Sequence, residues 1–287
     1  RGLGDVYKRQ FYDKVKTGHF CIRYHKKINY FMIESGKILA PDGSLILSLE
    51  ASGDMASAAV RKSGDISGYA ENKARHGHAE TLISLVQEAL QQAGQSFADV
   101  RLVAAGCGPG SFTGIRVCLA AASGFVIAHN LAEAGVNGLA ALAVRAAAKT
   151  GDRQAQYLSL ADTRRGSWFA QVYDAHGVLV SPCAEHTSDT LAAWLEEYRN
   201  NAPLFITGCL DAAAQDSLSF HGEVLHHMLD ARDIAEYAAL AVNDPSRQIS
   251  PFIPLYVNPA RLGPPKQNQK QPEKQAEKQA SEPKSVR

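Results

Sequence analysis

Apolar and polar positions alternate along the chain in a way that predicts both strands and helices. Two short apolar runs at 45–49 and 56–60 flank a Gly53-Asp54 turn, so they predict a β-hairpin. From 80 to 93, apolar residues recur at helical spacing, which predicts a helix. The first part of the chain therefore begins with a hairpin followed by a helix.

The middle of the chain predicts a buried strand that leads into another helix. Residues 100–105 form an apolar run in which only Arg101 is charged, and this run predicts a strand. We expect the helix to follow Gly114 and to continue to about Ala134, because that segment is rich in alanine. Strand, turn and helix in this order indicate an α/β protein.

A second structural unit is predicted to start near Gln154. Two further apolar runs, at 157–160 and 168–173, predict strands on either side of a turn at Asp162. At 287 residues and 45% hydrophobic content, the chain is large enough to form two compact lobes. We therefore expect a first lobe over 44–150 and a second over 151–259.

Composition and cysteine usage predict a cytoplasmic protein that makes no membrane contact. The longest apolar stretch, 117–128, is shorter than the roughly 20 residues that span a bilayer. The first residues lack the order of a secretory signal. The five cysteines, at 21, 107, 118, 183 and 209, have neither metal-ligand spacing nor an even number for disulfide pairing.

Charge is distributed unevenly along the chain. Residues 1–43 contain nine Lys/Arg and four Asp/Glu, and residues 260–287 contain seven and three. The segment between them contains 14 basic and 22 acidic residues, which is a net charge of −8. An acidic body does not favour direct binding to a phosphate backbone, because such affinity comes from clustered Lys and Arg.

Both ends are predicted to lie outside the folded body. The segment 1–43 is a leader, and we expect its first 31 residues to be an upstream translation or assembly artefact, with translation starting near Met32. The tail, 260–287, is rich in Lys, Gln and Glu and contains almost no large apolar residues, so we expect it to be disordered.

The most informative motif is the string Gly108-Pro109-Gly110-Ser111-Phe112-Thr113-Gly114-Ile115-Arg116. Ser111 and Thr113 are suited to cap the following helix, and free amides at a helix N-terminus attract phosphate. The string does not match a P-loop, because Gly114 is not followed by Lys, or a nucleophile elbow, because Ser111 does not have the flanking glycines. A phosphate cradle and a packing or capping turn both remain open.

With its surroundings, this string resembles the TsaB family, also called YeaZ, of bacterial proteins needed to make threonylcarbamoyladenosine in tRNA. The resemblance covers roughly 44–259. Four further segments support it: Leu45-Ile46-Leu47-Ser48-Leu49-Glu50-Ala51-Ser52, His78-Ala79-Glu80-Thr81-Leu82, Ala161-Asp162-Thr163-Arg164-Arg165-Gly166-Ser167-Trp168-Phe169, and Pro254-Leu255-Tyr256-Val257. It implies an actin-like α/β fold of the sugar-kinase and Hsp70 type, with two lobes.

The resemblance draws attention to Glu50, which stands where the superfamily usually has an Asp that positions a metal-bound nucleotide. Ala51 also removes the neighbouring hydroxyl. The longer Glu side chain fits an octahedral magnesium site poorly. The alternatives are therefore a pocket carboxylate and a solvated or hydrogen-bonded structural Glu.

His78 is the candidate metal ligand that the resemblance suggests. The related TsaD proteins bind their metal with His-x-x-x-His, but position i+4 from His78 is Leu82. His76 lies at or before the helix start and is expected to point elsewhere. We therefore expect no metal site here and assign His78 a capping or interface role.

A third candidate is the cluster of Asp162, Arg164 and Arg165, with Trp168 near enough to shape a pocket. It is suited to acid–base or anion-binding chemistry, or else to a turn in which Asp caps and the arginines meet acidic neighbours. Ser167 has no matching base at a recognisable spacing. We expect no catalytic residue in this chain.

In the TsaB family, two helices pair with the equivalent helices of TsaD, or of a second TsaB copy, in a four-helix interface. We predict an interface of this kind on the helices at 80–93 and after Gly114. The residues assigned to it are His78, Leu82, Leu85, Val86, Ala89, Ile115, Cys118, Leu119 and Ala122.

The resulting hypothesis is a non-catalytic scaffold subunit for threonylcarbamoyl transfer to the adenosine beside the anticodon of ANN-decoding tRNAs. We expect a TsaD-type catalytic subunit and a TsaE-type ATPase as partners, a possible homodimer, and tRNA contact only through the complex. The chain would have no cofactor of its own, and ATP and metal would belong to the partners. The alternatives are an active carbamoyltransferase or ATP-dependent enzyme, a metallopeptidase, and a self-contained homodimeric binding module.

Overall fold

The structure, a computed structural model, describes residues 44–73, 78–219 and 221–258. The predicted leader, 1–43, and the predicted tail, 260–287, lie outside the described residues.

The first sheet has five strands in the order β3-β2-β1-β4-β5. Strands β1 to β3 are antiparallel neighbours, and β4 and β5 continue the sheet in parallel with β1. The predicted hairpin and the predicted strand at 100–105 are thereby confirmed. The strands are β1 (Leu45–Glu50), β2 (Ala56–Lys62), β3 (Asp65–Asn72), β4 (Val100–Gly106) and β5 (Ala132–Val136).

The second sheet repeats this topology in the order β10-β9-β6-β7-β8. Its central strand again starts an antiparallel meander on one side and has a parallel pair on the other. Two sheets with the same connectivity confirm the predicted two-lobed, actin-like α/β class. The strands are β6 (Gln156–Asp162), β7 (Trp168–Asp174), β8 (Ala184–His186), β9 (Leu204–Gly208) and β10 (Glu223–His226).

Six helices complete the described part of the fold and arrange it in layers. They are α1 (His78–Gln92), α2 (Phe112–His129), α3 (Gly138–Thr150), α4 (Ser188–Tyr198), α5 (Ala212–Leu218) and α6 (Ala231–Asn243). Helices α1 and α2 cover the outer face of the first sheet. Helices α3 and α6 pack between the two sheets, while α4 and α5 cover the outer face of the second.

Side-chain alternation along β1 explains this layering. Ile46 belongs to the core between the sheets, whereas Leu47 and Leu49 belong to the core under α1 and α2. A strand buried on both faces has an apolar residue at nearly every position. The largely apolar sequences of β1 and β4 therefore reflect a sheet between two helical layers.

Two segments differ from the expectation. Helix α2 ends at His129, where Asn130 adopts a left-handed conformation with φ 53°, and the chain then forms β5 instead of extending the helix to Ala134. Helix α6 follows the second sheet in sequence but packs on β1 and β2, so the first lobe also contains a segment from the second half of the chain.

Helix α2 is 18 residues long and, by length and composition alone, sufficiently apolar to cross a membrane. The predicted stretch of 117–128 was too short because the helix begins earlier, at Phe112. The buried helices of soluble proteins pass the same test, and α2 packs on the first sheet. Only 28% of its residues are buried, so much of this apolar helix faces outward.

Candidate functional site

A cleft of about 300 Å³ lies between the two lobes. It is bordered by the turn between β1 and β2, the loop between β4 and α2, and the hairpin turn between β6 and β7. The charged residues that line it are Asp54, Asp162, Arg164 and Arg165, and Cys209 and Phe169 lie alongside. The sequence placed Asp162 and both arginines at a pocket, and Phe169 lines this one where Trp168 was expected.

The glycine motif is packed tightly against the end of β1. A β-carbon at Gly114 would lie 1.9 Å from the carbonyl oxygen of Ala51, so only glycine allows α2 to start at this distance from β1. The amide of Ser111 donates a hydrogen bond of 2.7 Å to the carbonyl oxygen of Ser52. The motif therefore joins β4 and α2 to the chain that follows β1.

Some backbone amides of this loop already donate hydrogen bonds within the protein. The Ser111 hydroxyl accepts a hydrogen bond of 3.2 Å from the Gly114 amide, which makes Ser111 the N-cap residue, while Thr113 lies within the helix. The Gly108 carbonyl accepts a hydrogen bond of 2.9 Å from the Gly138 amide. Two of the amides that would face an anion, those of Ser111 and Gly114, are therefore already engaged.

Glu50 does not line the cleft. It is fully buried at the end of β1, and its Oε1 accepts a hydrogen bond of 2.5 Å from the Ser52 amide. Its Oε2 has no hydrogen-bond partner within the part of the chain that the structure describes. Burial raises the pKa of this carboxyl to about 7, against the smaller opposing effect of the Ser52 hydrogen bond.

The predicted pocket role of Glu50 is therefore wrong, and the predicted structural role describes it better. A carboxylate enclosed beside Gly106, with one oxygen held by a backbone amide, does not fit the metal-nucleotide role that the resemblance implies. The extra methylene of Glu and the glycine at position 106 together let the side chain turn into the protein interior.

The charges that line the cleft are paired within the protein. The Asp162 carboxylate accepts a hydrogen bond of 2.6 Å from the Arg164 amide, which stabilises the turn and the positive φ of 59° at Arg164. The Arg164 guanidinium pairs with Asp54 across the cleft, and that of Arg165 lies 3.8 Å from Glu185. This is the arrangement of a capped turn whose arginines meet acidic neighbours.

Eight of the nine residues assigned to a partner interface are buried in this chain, so that assignment is corrected for them. Each covers the first sheet, because the apolar stripe of an amphipathic helix faces its own sheet first. The buried residues are Leu82, Leu85, Val86 and Ala89 on α1, and Ile115, Cys118, Leu119 and Ala122 on α2. The side chain of His78 and the whole of His76 lie outside the described structure.

Other apolar residues of the same two helices are exposed. Ile83 on α1 is 50% exposed, and Ile127 on α2 is 81% exposed. On α2, the exposed residues Phe112, Arg116, Ala120 and Gly124 precede Ile127 at helical spacing. We call this set, Ile83, Phe112, Arg116, Ala120, Gly124 and Ile127, the outer helix face.

The first turn of α2 is also bound by the end of the described chain. Arg116 Nε donates a hydrogen bond of 2.9 Å to the Tyr256 hydroxyl, and its guanidinium lies 3.6 Å from the centroid of the Phe112 ring. The motif arginine therefore packs against aromatic side chains. The sequence indicated both segments but gave no signal that they meet.

One further group of potential ligands was not foreseen. Side-chain atoms of His227, Asp230 and Asp233 lie within 4.8 Å of one another at the start of α6. Arg232 donates hydrogen bonds to both carboxylate oxygens of Asp230, while Asp233 Oδ2 lies 2.7 Å from His227 Nε2 and accepts a hydrogen bond from the Asp230 amide. These contacts cap and neutralise the helix start, and the cationic Arg232 disfavours a metal ion there.

The comparisons with known proteins agree with the motifs. Residues 63–267 match the model of the family described as TsaD, tRNA N6-adenosine threonylcarbamoyltransferase. The chain belongs to the TsaD family. The resemblance to TsaB and YeaZ is confirmed by a curated relative from Escherichia coli K12, named tRNA threonylcarbamoyladenosine biosynthesis protein TsaB.

The TsaB relative is 30% identical over 135 residues, which are 46% of this chain and 57% of the relative. A tRNA N6-adenosine threonylcarbamoyltransferase from Halalkalibacterium halodurans is 31% identical over 121 residues, 37% of this chain and 35% of the relative. The alignments thus span only 57% and 35% of the lengths of these two curated relatives.

Solved structures extend the likeness in fold over most of the chain. YeaZ from Pseudomonas aeruginosa has a TM-score of 0.61 at 23% identity, covering 74% of this chain and 99% of YeaZ. A second Pseudomonas aeruginosa structure, described as an uncharacterised protein similar to peptidase YeaZ, has a TM-score of 0.62 at 22% identity and covers 75% of this chain and all of its own. The shared fold is therefore also known for other TsaB-like proteins.

Proposed function

We propose that this chain is a non-catalytic subunit of the machinery that makes threonylcarbamoyladenosine in tRNA, and that it pairs with a TsaD-type catalytic protein. Membership of the TsaD family and the likeness to TsaB support the reaction. The outer helix face supports the scaffold role and is the observation that carries this proposal.

The outer helix face has the character of a protein interface. Two isoleucines, Ile83 and Ile127, are at least half exposed, although burying such a side chain stabilises by roughly 1.5–3 kcal/mol. Ala120 and Gly124 lie between the ends of α2 and permit another helix to approach closely. This face is apolar, with small residues at its centre and one arginine at its edge, so two helices of a partner protein could pack against it.

The contacts in and beside the cleft support the proposal that this chain does not catalyse a reaction by itself. Amides of the glycine motif are used for capping and for binding β1, and the Glu50 carboxyl is enclosed. The cleft arginines already have acidic partners. Binding a metal-nucleotide would require breaking several of these contacts, so ATP and metal are assigned to partner subunits.

The proposed division of labour follows from charge. The segment 44–259 has a net charge of −8, which does not favour direct binding to the phosphate backbone of tRNA. In this proposal the TsaD-type subunit carries the transfer chemistry, a TsaE-type subunit hydrolyses ATP, and tRNA is held by the complex. A homodimer of this chain would use the same outer helix face and compete with the heterodimer.

Reconstitution with the TsaD-type and TsaE-type proteins of the same organism tests this proposal. The full chain is combined with each partner, threonylcarbamoyl-adenylate and unmodified tRNA, and transfer and ATP turnover are measured. We expect transfer only when this chain and the TsaD-type protein are both present. Transfer or metal-dependent ATP turnover by this chain alone would overturn the proposal in favour of an active enzyme, and peptide hydrolysis would favour a peptidase.

A further inference from the structure

The last described residues, 250–258, form a strap that begins on the first lobe. The Gly135 amide donates a hydrogen bond of 2.6 Å to the Ser250 carbonyl, and the Ser250 amide returns one of 3.0 Å, so the strap pairs with the edge of β5. Farther along, the Leu255 amide donates a hydrogen bond of 2.8 Å to the Cys107 carbonyl, directly before the glycine motif. Backbone hydrogen bonds therefore fix this part of the strap to the first lobe.

The strap then passes the first turn of α2. The Tyr256 hydroxyl accepts a hydrogen bond from Arg116, and the Tyr256 ring lies 5.1 Å from that of Phe112. The two tilted aromatic rings and the guanidinium add side-chain contacts to the backbone contacts. Tyr256 thus sets the direction in which the strap leaves the first lobe.

The end of the strap reaches the second lobe. Asn258 Nδ2 donates a hydrogen bond to Glu185 Oε2 on β8. The other oxygen of Glu185 accepts a hydrogen bond of 2.5 Å from the Ser167 hydroxyl, and Arg165 lies 3.8 Å away. Ser167 and Arg165 belong to the turn between β6 and β7, which borders the cleft, so Glu185 connects the strap to that turn.

The same turn is bound to the first lobe at a second point. Arg164 pairs with Asp54 on the turn that follows β1. This pair is about half exposed on both sides, whereas the Glu185 side chain is only 18% exposed. A hydrogen bond to a mostly buried carboxylate is stronger than an exposed ion pair, so the strap is the firmer of the two connections.

We propose that the strap and the Asp54–Arg164 pair form a two-point clasp that holds the β6–β7 turn over the cleft and keeps the two lobes closed. Other described connections between the lobes include the chain crossings before β6 and before α6, the helix packing between the sheets, and the hydrogen bonds of 2.9 and 3.1 Å that Asn137 Nδ2 donates to Gln171 Oε1 and the Tyr173 hydroxyl on β7. Release of the clasp frees the turn at residues 163–167 while that packing stays in place. The clasp therefore regulates access to the cleft, and this inference does not depend on the partner.

Hydrogen exchange of the full chain, followed by mass spectrometry, tests the clasp. Asn258→Ala removes the strap contact, and Asp54→Asn removes the ion pair; both leave the sequence of the turn unchanged. We expect the amides of residues 163–167 to exchange roughly tenfold faster in Asn258→Ala, less so in Asp54→Asn, and fastest in the double variant. Asn258→Asp, which places a charge against Glu185, should resemble Asn258→Ala or exceed it.

Asn243→Ala is the matched control, because Asn243 Nδ2 also donates a surface hydrogen bond, but to Ala239 within α6. Exchange in the buried strand β6 serves as the internal reference and should not change in any variant. Equal exchange of residues 163–167 in the Asn258→Ala/Asp54→Asn double variant and in Asn243→Ala would overturn the proposal. Formation of the heterodimer is a separate measurement, so the failure of one proposal can be distinguished from failure of the other.

Discussion

The Glu50 carboxyl occupies the space beside Gly106 that any larger residue would need. A β-carbon at position 106 would lie 1.6 Å from Glu50 Oε2 and 2.7 Å from Cδ. These residues end the neighbouring strands β1 and β4, which converge on the glycine motif. Glu50, at the position of a nucleotide-positioning carboxylate in the resemblance, is therefore part of the packed interior of this chain.

We expect Gly106→Ala to lower the free energy of unfolding by about 2–3 kcal/mol, because the new methyl group displaces a buried side chain. Urea denaturation measures this change. Glu50→Ala removes the side chain that a methyl group at position 106 would displace. The Gly106→Ala/Glu50→Ala double variant should therefore be about 1–3 kcal/mol more stable than expected from adding the effects of the two single substitutions.

Gly124→Ala is the control for that experiment, because a β-carbon at Gly124 meets nothing within 4 Å. Within the exposed part of α2, alanine should raise stability by up to about 1 kcal/mol. Additive effects of Gly106→Ala and Glu50→Ala would contradict the contact.

Glu50→Gln should change how stability depends on pH. Burial raises the Glu50 pKa from 4.5 to about 7, so the folded state retains a proton that the unfolded state releases above pH 4.5. The contribution of Glu50 to the free energy of unfolding of the wild type therefore falls by roughly 3 kcal/mol as pH rises from 4.5 to about 7. Above about pH 7 this contribution is constant.

Gln cannot ionise, so Glu50→Gln should lack this part of the pH dependence. Its free energy of unfolding relative to that of the wild type should therefore increase as pH rises from 4.5 to about 7. Urea denaturation at pH 4.5, 6, 7 and 8 measures the difference. Parallel stability profiles of the two proteins would show that Glu50 is not enclosed as described.

Ser111→Ala should destabilise α2 by about 1 kcal/mol, because the Gly114 amide loses its cap. For a body of this size, the expected fall in Tm is roughly 2–4 °C. Ser111→Asp keeps an acceptor and should remain close to the wild type. Thr113→Ala, on the exposed side of the same turn, should change stability by less than about 0.5 kcal/mol, and an equal fall there would contradict the assignment of Ser111 as the cap.

Much of the local structure could be predicted from the sequence because its signals are local. The apolar runs at 45–49 and 100–105 and the serine before α2 indicated the strands and the cap that the structure contains. The strand β5 was missed because Ala132 and Ala134 follow an alanine-rich helix, and only pairing with β4 distinguishes them from its continuation.

The assignment of helix faces required the tertiary structure. Helical spacing identified Leu82 and Val86 as one stripe, but it could not say whether that stripe covers the first sheet or a partner. Helix α2 is apolar on nearly all sides, so periodicity does not separate buried Leu119 from exposed Ile127.

The contacts of the cleft were also beyond prediction, because they join distant parts of the chain. Arg164 pairs with a residue 110 positions earlier, and Arg116 contacts one 140 positions later. Arg164 was a candidate for anion binding and Arg116 belonged to the glycine motif, but their partners, Asp54 and Tyr256, carry no local signal of that pairing. Sequence reasoning found the right loops but not which charges neutralise one another.

The most direct test of the scaffold role is the affinity of the full chain for the TsaD-type protein of the same organism, measured by calorimetry. Ile83→Glu and Ile127→Glu place charge on the outer helix face, and Leu179→Glu is the control at a residue that is 42% exposed on the second lobe. We expect each of the first two to weaken binding at least roughly 30-fold, or about 2 kcal/mol, and the control to leave it unchanged. Equal affinity of all three variants and the wild type would contradict the assignment of this face to the partner.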